Sequence, residues 1–218
     1  MTTFTTPEPI AVTVDVMSGD VTVIASDRTD TVVRIRPANA AGKADIRAAE
    51  QTRADFTAGV LTVHTPKDWR TYTPFGGNPS IEVSVEVPTG SRLKATAGVG
   101  RLVSIGELRR ADLNIAAGDI VVERPGGAVT AKTAKGDIRI EDAVRGELRL
   151  ETSYGELQVG IRPGSAAWLE VDATLGTVQN LMQPVDAATA DTVRVHARSA
   201  YGNVVVRHAV APLARTRG

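Results

Sequence analysis

The sequence predicts an all-β chain, wound as a single-stranded β-solenoid of about 18 residues per coil with an N-terminal β extension. Three observations predict it. First, glycines recur at Gly100, Gly118, Gly136, Gly155, Gly176 and Gly202, with spacings of 18, 18, 19, 21 and 26 residues. Second, two residues after each of them stands a branched aliphatic: Leu102, Ile120, Ile138, Leu157, Val178 and Val204. Third, apolar and polar residues alternate before each glycine. Leu93, Ala111, Val129, Leu148, Leu169 and Val195 lie seven before, while Lys94, Asp112, Lys132, Arg149, Glu170 and Arg198 fall at intervening positions. This is a strand period of two nested in a longer repeat. A short strand cannot bury its apolar face alone, but stacking one coil on the next buries a continuous aliphatic row. At the strand spacing of about 4.8 Å, five steps give a rod of about 24 Å. A two-sheet sandwich is the competing architecture; it explains the alternation but not the recurring glycine register.

Taken in order, residues 1–9 read as a flexible N-terminus. Residues 10–90 read as a strand-rich part continuous with the repeats. Val12, Val14, Val16, Val21 and Val23 flank Gly19 in the same register, so that segment is one more copy of the unit. Thr31–Arg36 reads as a strand ended by Pro37. Residues 43–56 carry helix formers with Ile46, Ala49, Arg53 and Phe56 at helical spacing, which reads as a short helix or ordered loop. Residues 59–64 and 81–87 are strands. The loop between them holds Trp69, Tyr72 and Phe75, three of the eight aromatics of the chain. Residues 91–209 hold the repeats, and 210–218 read as a flexible tail. Within the repeats, Arg162-Pro163-Gly164-Ser165 is a turn insertion and residues 179–191 form a surface loop. The corner glycines, Gly19 included, fit positions needing positive φ or close backbone approach.

Composition narrows function. There are 25 basic and 25 acidic residues, split 8 to 11 over residues 1–90 and 17 to 14 over the rest. That balance gives no electropositive footprint for nucleic acid. With no cysteine there is no disulfide, thiolate site or cysteine nucleophile. No segment reaches the ~18 apolar residues of a membrane span, and the N-terminus lacks a basic start with a continuous apolar run. The expectation is a soluble cytoplasmic protein without membrane insertion.

The chemistry of the exterior reads as plain. Asp20, Asp119, Asp137 and Glu156 follow corner glycines and would stack on one edge. A calcium ladder would want such oxygens, but Arg101 and Thr177 break the row, and turn residues bonding nearby amides are the simpler reading. Lys132 should lie beside Asn114 and Glu151, Arg149 beside Glu170, and Asp172 beside Arg198, a mixed-sign solvated face. Asp137, Arg139 and Glu156 are the one cluster a polysaccharide-cleaving β-helix could use. Tyr154 and Tyr201 precede corner glycines, where packing at the core edge is expected. Gly98-Val99-Gly100 lacks a dinucleotide-binding context, and no P-loop, GxSxG or HExxH occurs. His64, His196 and His208 read as surface or edge residues. No cofactor, metal or catalytic residue is expected.

The segments MSGDVTV, AAGDIVV, AKGDIRI, SYGELQV and AYGNVVV share one unit, and together with SIEVSVEVPTGSRL and AAWLEVDATLGTVQNL they resemble the bacterial "putative adhesin" β-strand-repeat family, a domain of unknown function, in an actinobacterial-type form. The resemblance spans about residues 10–209. It implies a right-handed β-helix-like fold and brings no catalytic residues. The leading expectation is a non-catalytic scaffold or protein-interaction module with an unknown protein partner. Its candidate contacts are Trp69, Tyr72 and Phe75, as exposed aromatics anchor interfaces; alternatively they cover the apolar end of the stack. A second expectation is self-assembly. Bactofilin-like cytoskeletal proteins are similar in coil length and lack of cysteine, and a homodimer or end-to-end contact would use the C-terminal coil at Val204–Val206. The third is a polysaccharide-binding or cleaving β-helix protein.

Overall fold

The structure is a computed structural model, and it describes residues 1–66, 79–183 and 191–210. The strands are β1 (Thr2–Thr5), β2 (Ala11–Ser26), β3 (Asp30–Pro37), β4 (Arg53–Thr57), β5 (Val60–His64), β6 (Ile81–Pro88), β7 (Arg92–Lys135), β8 (Ile138–Ala143), β9 (Gly146–Tyr154), β10 (Leu157–Ile161), β11 (Ala166–Leu175), β12 (Val178–Asn180), β13 (Thr192–Tyr201) and β14 (Val204–His208); the single helix, α1, is Lys43–Gln51. The chain is all-β around that helix, and its strands make one open, mixed, 14-stranded sheet.

The sheet has two branches that share β2 and β7. One runs β1-β3-β6-β2-β7-β8-β10-β14-β12 and the other β4-β5-β2-β7-β9-β13-β11. Pairing is parallel from β2 onward in both branches and antiparallel only in β1–β3, β3–β6 and β4–β5. The aliphatic rows expected from the repeat are present. Ile120, Ile138 and Leu157 are register partners in turn, Val204 follows Leu157, and all four are fully buried. Alternation explains the burial: strands within the sheet turn their aliphatics inward and their polar residues to solvent.

The corner glycines form a row of their own. A Cβ on Gly136 would lie 2.0 Å from the carbonyl oxygen of Gly118, and one on Gly155 1.9 Å from that of Gly136. No side chain fits there, and φ is +143° at Gly136 and +155° at Gly155. Hydroxyls lock the same row. Thr133 Oγ1 donates to Gly118 O at 3.1 Å, Thr152 Oγ1 to Gly136 O at 3.0 Å, and Ser199 Oγ to Gly155 O at 3.4 Å.

The stacking order departs from chain order at the C-terminal end. β13 lies between β9 and β11, and β14 lies between β10 and β12. The glycine row agrees: a Cβ on Gly202 would strike Gly155 O at 1.9 Å, and one on Gly176 would strike Gly202 O at 2.0 Å. The chain therefore skips one layer after β10, lays down β11 and β12, and returns to fill the gap. The outermost strands at this end are not those of Val204–Val206, as expected, but β11 and β12. Asn180 supplies the physical reason. It is the register partner of Val206, in a row continued by Val159, Ile140 and Val122. An amide buried in that aliphatic row would lose its water without a partner, at a cost of about 1–3 kcal/mol. At the end of the stack Asn180 is exposed, and its Oδ1 accepts the Met182 amide at 3.0 Å.

The N-terminal end is covered. Residues 1–9 contain a paired strand: β1 pairs with β3, and Thr6 is buried with its hydroxyl 2.8 Å from that of Thr31. The Phe4 and Phe56 rings, 5.4 Å apart, join the edge strands β1 and β4. Residues 43–56 split into α1 and β4. The helix stops at Thr52, which is extended and whose amide and hydroxyl both donate to Ala48 O. Arg28 bonds Asp30 at 2.8 Å and also Glu86, which Arg34 bonds as well. These hydrogen bonds, from Arg34 first and then Arg28, hold the Glu86 carboxyl below its ordinary value of 4.5 against the opposing effect of burial.

Candidate functional site

The two ends of the stack are unlike. Among the described residues β11 and β12 are each paired on one side only, as β1 and β4 are at the N-terminal end, so the ends differ in the apolar side chains they expose and not in their free edges. Among the described residues ten large apolar side chains are exposed, and six of them, Tyr154, Trp168, Leu175, Val178, Leu181 and Tyr201, belong to the last three turns. Val178 ends the row that is fully buried at Val204, Leu157 and Ile138, yet it is 51% exposed. The inward residues of β11, namely Ala167, Leu169, Val171 and Ala173, touch the core but are only half-buried. An apolar end with unpaired strand edges is a template for association.

The outer face near this end is built from rows across neighbouring strands. One row runs Lys132, Glu151, Arg198, Asp172, and a second runs Arg149, His196, Glu170. Lys132 Nζ is 3.0 Å from Glu151, and Arg198 Nε is 3.7 Å from Asp172, as the alternation predicts. Arg149 is not beside Glu170, because the inserted β13 puts His196 between them. Arg149 instead bonds Glu147 on its own strand at 2.8 Å. His196 Nδ1 lies 2.9 Å from Glu170 and Nε2 3.3 Å from Glu147. The two rows, without Glu147, line a shallow groove of about 340 Å³.

The aromatics pack as a stack. The Tyr154 and Tyr201 rings are 4.7 Å apart and 5° from parallel, while the Trp168 ring meets His196 edge-on at 5.5 Å. Each tyrosine covers one face of the other, and both rings stay about half exposed.

The corner acids have local partners. Asp119 Oδ1 accepts the Asp137 amide at 3.0 Å, Asp137 Oδ1 accepts the Glu156 amide at 2.7 Å, and Asn203 Oδ1 accepts the Thr177 amide at 3.0 Å. Each side chain serves an amide of the next layer that the ladder leaves over, which explains a short acceptor after the glycine. Glu156 also accepts from Gln158 Nε2 at 2.5 Å. His64 Nδ1 is 3.7 Å from Asp15, and His208 Nε2 accepts the Gln183 amide at 3.2 Å. Among the described residues no group of three His, Asp or Glu side chains is arranged to hold a metal, and no helix is long and apolar enough to cross a membrane.

Trp69, Tyr72 and Phe75 lie outside the described residues. The surface found instead centres on Trp168, which the repeat pattern presents as an ordinary outward position. Two signals marked it: the long steps of 21 and 26 residues that flank its turn, and Asn180 where every later and earlier turn but one has valine or isoleucine.

The chain matches no protein-family model and no curated protein. It does match solved structures. One is a "putative cell adhesion protein" from Clostridium sporogenes ATCC 15579, with TM-score 0.56 and 9% identity over 95% of this chain and 98% of that one. Others are a "putative adhesin" from Bacteroides fragilis NCTC 9343, with TM-score 0.42 and 10% identity over 94% and 95%, and one from Parabacteroides merdae ATCC 43184, with TM-score 0.33 and 14% identity over 93% and 94%. At these identities the likeness is one of fold, and the first structure alone carries it.

Proposed function

We propose that this chain is a right-handed β-solenoid scaffold that acts as a non-catalytic interaction module, binding through its uncovered end at β11 and β12. One observation carries the reading. At the N-terminal end antiparallel strands and the Phe4–Phe56 contact cover the core, although β1 and β4 keep a free edge, while the other end leaves Trp168, Leu175, Val178 and Leu181 in solvent. The "putative cell adhesion protein" that shares the fold is compatible with a binding role. A second reading, self-assembly, draws on the same bare edges.

A photo-crosslinking residue placed at Trp168, or at Asp55 on the covered end, separates them in the native host. The proposal expects a heterologous adduct from position 168 and none from 55. Adducts only between copies favour self-assembly. Equal yields from both ends, or none from either, refute the reading.

A further inference from the structure

For a chain that binds through its β11–β12 end, a premise taken over from the proposed function, the charge rows describe the chemistry of the partner. Along the stack the sign alternates: Lys132, Glu151, Arg198, Asp172. The neighbouring row ends His196, Glu170. Both rows therefore stop on a carboxylate at the edge of β11, which has no further strand among the described residues, and both carboxylates are two-thirds exposed. Between them and beside them the inward positions are Ala167, Leu169, Val171 and Ala173, which lack cover on one side.

We propose that the edge of β11 receives an extended segment of a partner protein, with Lys or Arg at alternate outward positions and small or apolar residues between them. The outward cations continue both rows, since opposite charges on adjacent strands attract and like charges repel. The inward residues cover Leu169 and Val171, and the added backbone satisfies the unpaired edge, as in β-strand addition. Trp168 next to the acids offers its ring to a cation or an aliphatic stem.

A second copy fits this edge less well. Apposing β11 on itself across a two-fold axis sets the Glu170 and Asp172 pair against a second acidic pair, with no basic residue in the strand to answer it. Head-to-tail contact meets β4, whose exposed Arg53 and Asp55 carry one charge of each sign, and β1, which has no charged residue. The pattern of a single sign is what a dedicated basic strand would answer.

The test uses the full chain and two short synthetic peptides, one alternating valine with arginine and the other valine with glutamate. At ~50 mM salt, where exposed charges are weakly screened, the arginine peptide should bind at least about tenfold more tightly than the glutamate peptide, and the double variant E170K/D172K should reverse the preference. Binding should also slow amide exchange in Ala167–Ala173. Equal affinities, or a preference that survives the charge reversal, overturn the proposal. So does sign-dependent binding without amide protection, which would be surface attraction and not strand addition. If the full chain binds neither peptide but a chain ending at Val210 binds the arginine one, the edge belongs to the residues beyond 210; if binding appears only on dilution, it belongs to a second copy. A heterologous adduct at position 168 with no charge preference would leave the interaction reading standing and remove only this partner.

Discussion

Substituting Gly136 by alanine tests the stacking most sharply. The new Cβ would sit 2.0 Å from Gly118 O, so the two layers must separate by about 1.4 Å to reach the 3.4 Å at which ordinary contact begins. Three bonds cross that seam: Ile120 N to Asp137 O at 2.9 Å, Asp137 N to Asp119 Oδ1 at 3.0 Å, and Thr133 Oγ1 to Gly118 O at 3.1 Å. Losing them costs about 1 kcal/mol each. Backbone strain for a residue with a side chain at φ +143° adds about 1–3 kcal/mol, for a total of about 4–6 kcal/mol. Gly164 is the control. Its φ is +94° but nothing lies within 4 Å of a Cβ there, so G164A carries the strain without the collision. Urea denaturation should place G136A about 3 kcal/mol below G164A, or about 6–12 °C lower in Tm for a chain of this size. If the two variants are equally stable, the glycines are not in contact from layer to layer and the reasoning fails.

Other expectations use the same frame. Val204 is fully buried and Val178 is 51% exposed in the same row, so V204A should cost about 2 kcal/mol or more and V178A within about 0.5 kcal/mol; the opposite ranking would restore chain order at the end of the stack. T152V keeps the shape but removes the hydroxyl bond to Gly136 O, so it should cost about 1 kcal/mol in denaturant titration while T152S costs less; a neutral T152V would show that the hydroxyl contributes nothing. Glu86 and Asp30 titrate below their ordinary values of 4.5 and 3.8, because arginine hydrogen bonds favour the carboxylates. Their contribution is present above those values and is lost as pH falls through the lower folded ones. E86Q should therefore flatten the loss of stability on acidification below about pH 4.5 while lowering stability at neutral pH; parallel acid profiles for parent and variant would contradict this.

The buried aliphatic rows of the sheet were legible because the same register recurs after successive glycines. The aliphatic two residues after the glycine faces inward wherever the strand alternates, and the glycine is required wherever a carbonyl closes over it. Lys132–Glu151 and Asp172–Arg198 followed directly from that register. The layer exchange was harder to read, since chain order is the natural guess for a stack and both β11 and β13 alternate in the same way. What distinguishes them is one polar residue, Asn180, and two lengthened connections. The paired strand within residues 1–9 was hidden for a different reason. Thr2–Thr5 has little apolar pattern of its own and is held by its partner Asp30–Val33. The open end was hidden along with the exchange: with β14 as the last turn, Trp168 would be one outward residue among many.

The order of the last layers decides which surface is bare, and engineered disulfides measure it in a chain that has no cysteine of its own. Glu151 and Arg198 are register partners on adjacent strands, while Asp172 lies one strand farther, about 9.6 Å from Glu151 at normal spacing. Two cysteines bridge only when their Cα atoms are within about 7 Å. On mild oxidation the pair E151C/R198C should close in the monomer, and E151C/D172C should stay reduced. Closure of E151C/D172C with E151C/R198C left open would put β11 inside and β13 at the end, and the proposed contact surface would be gone.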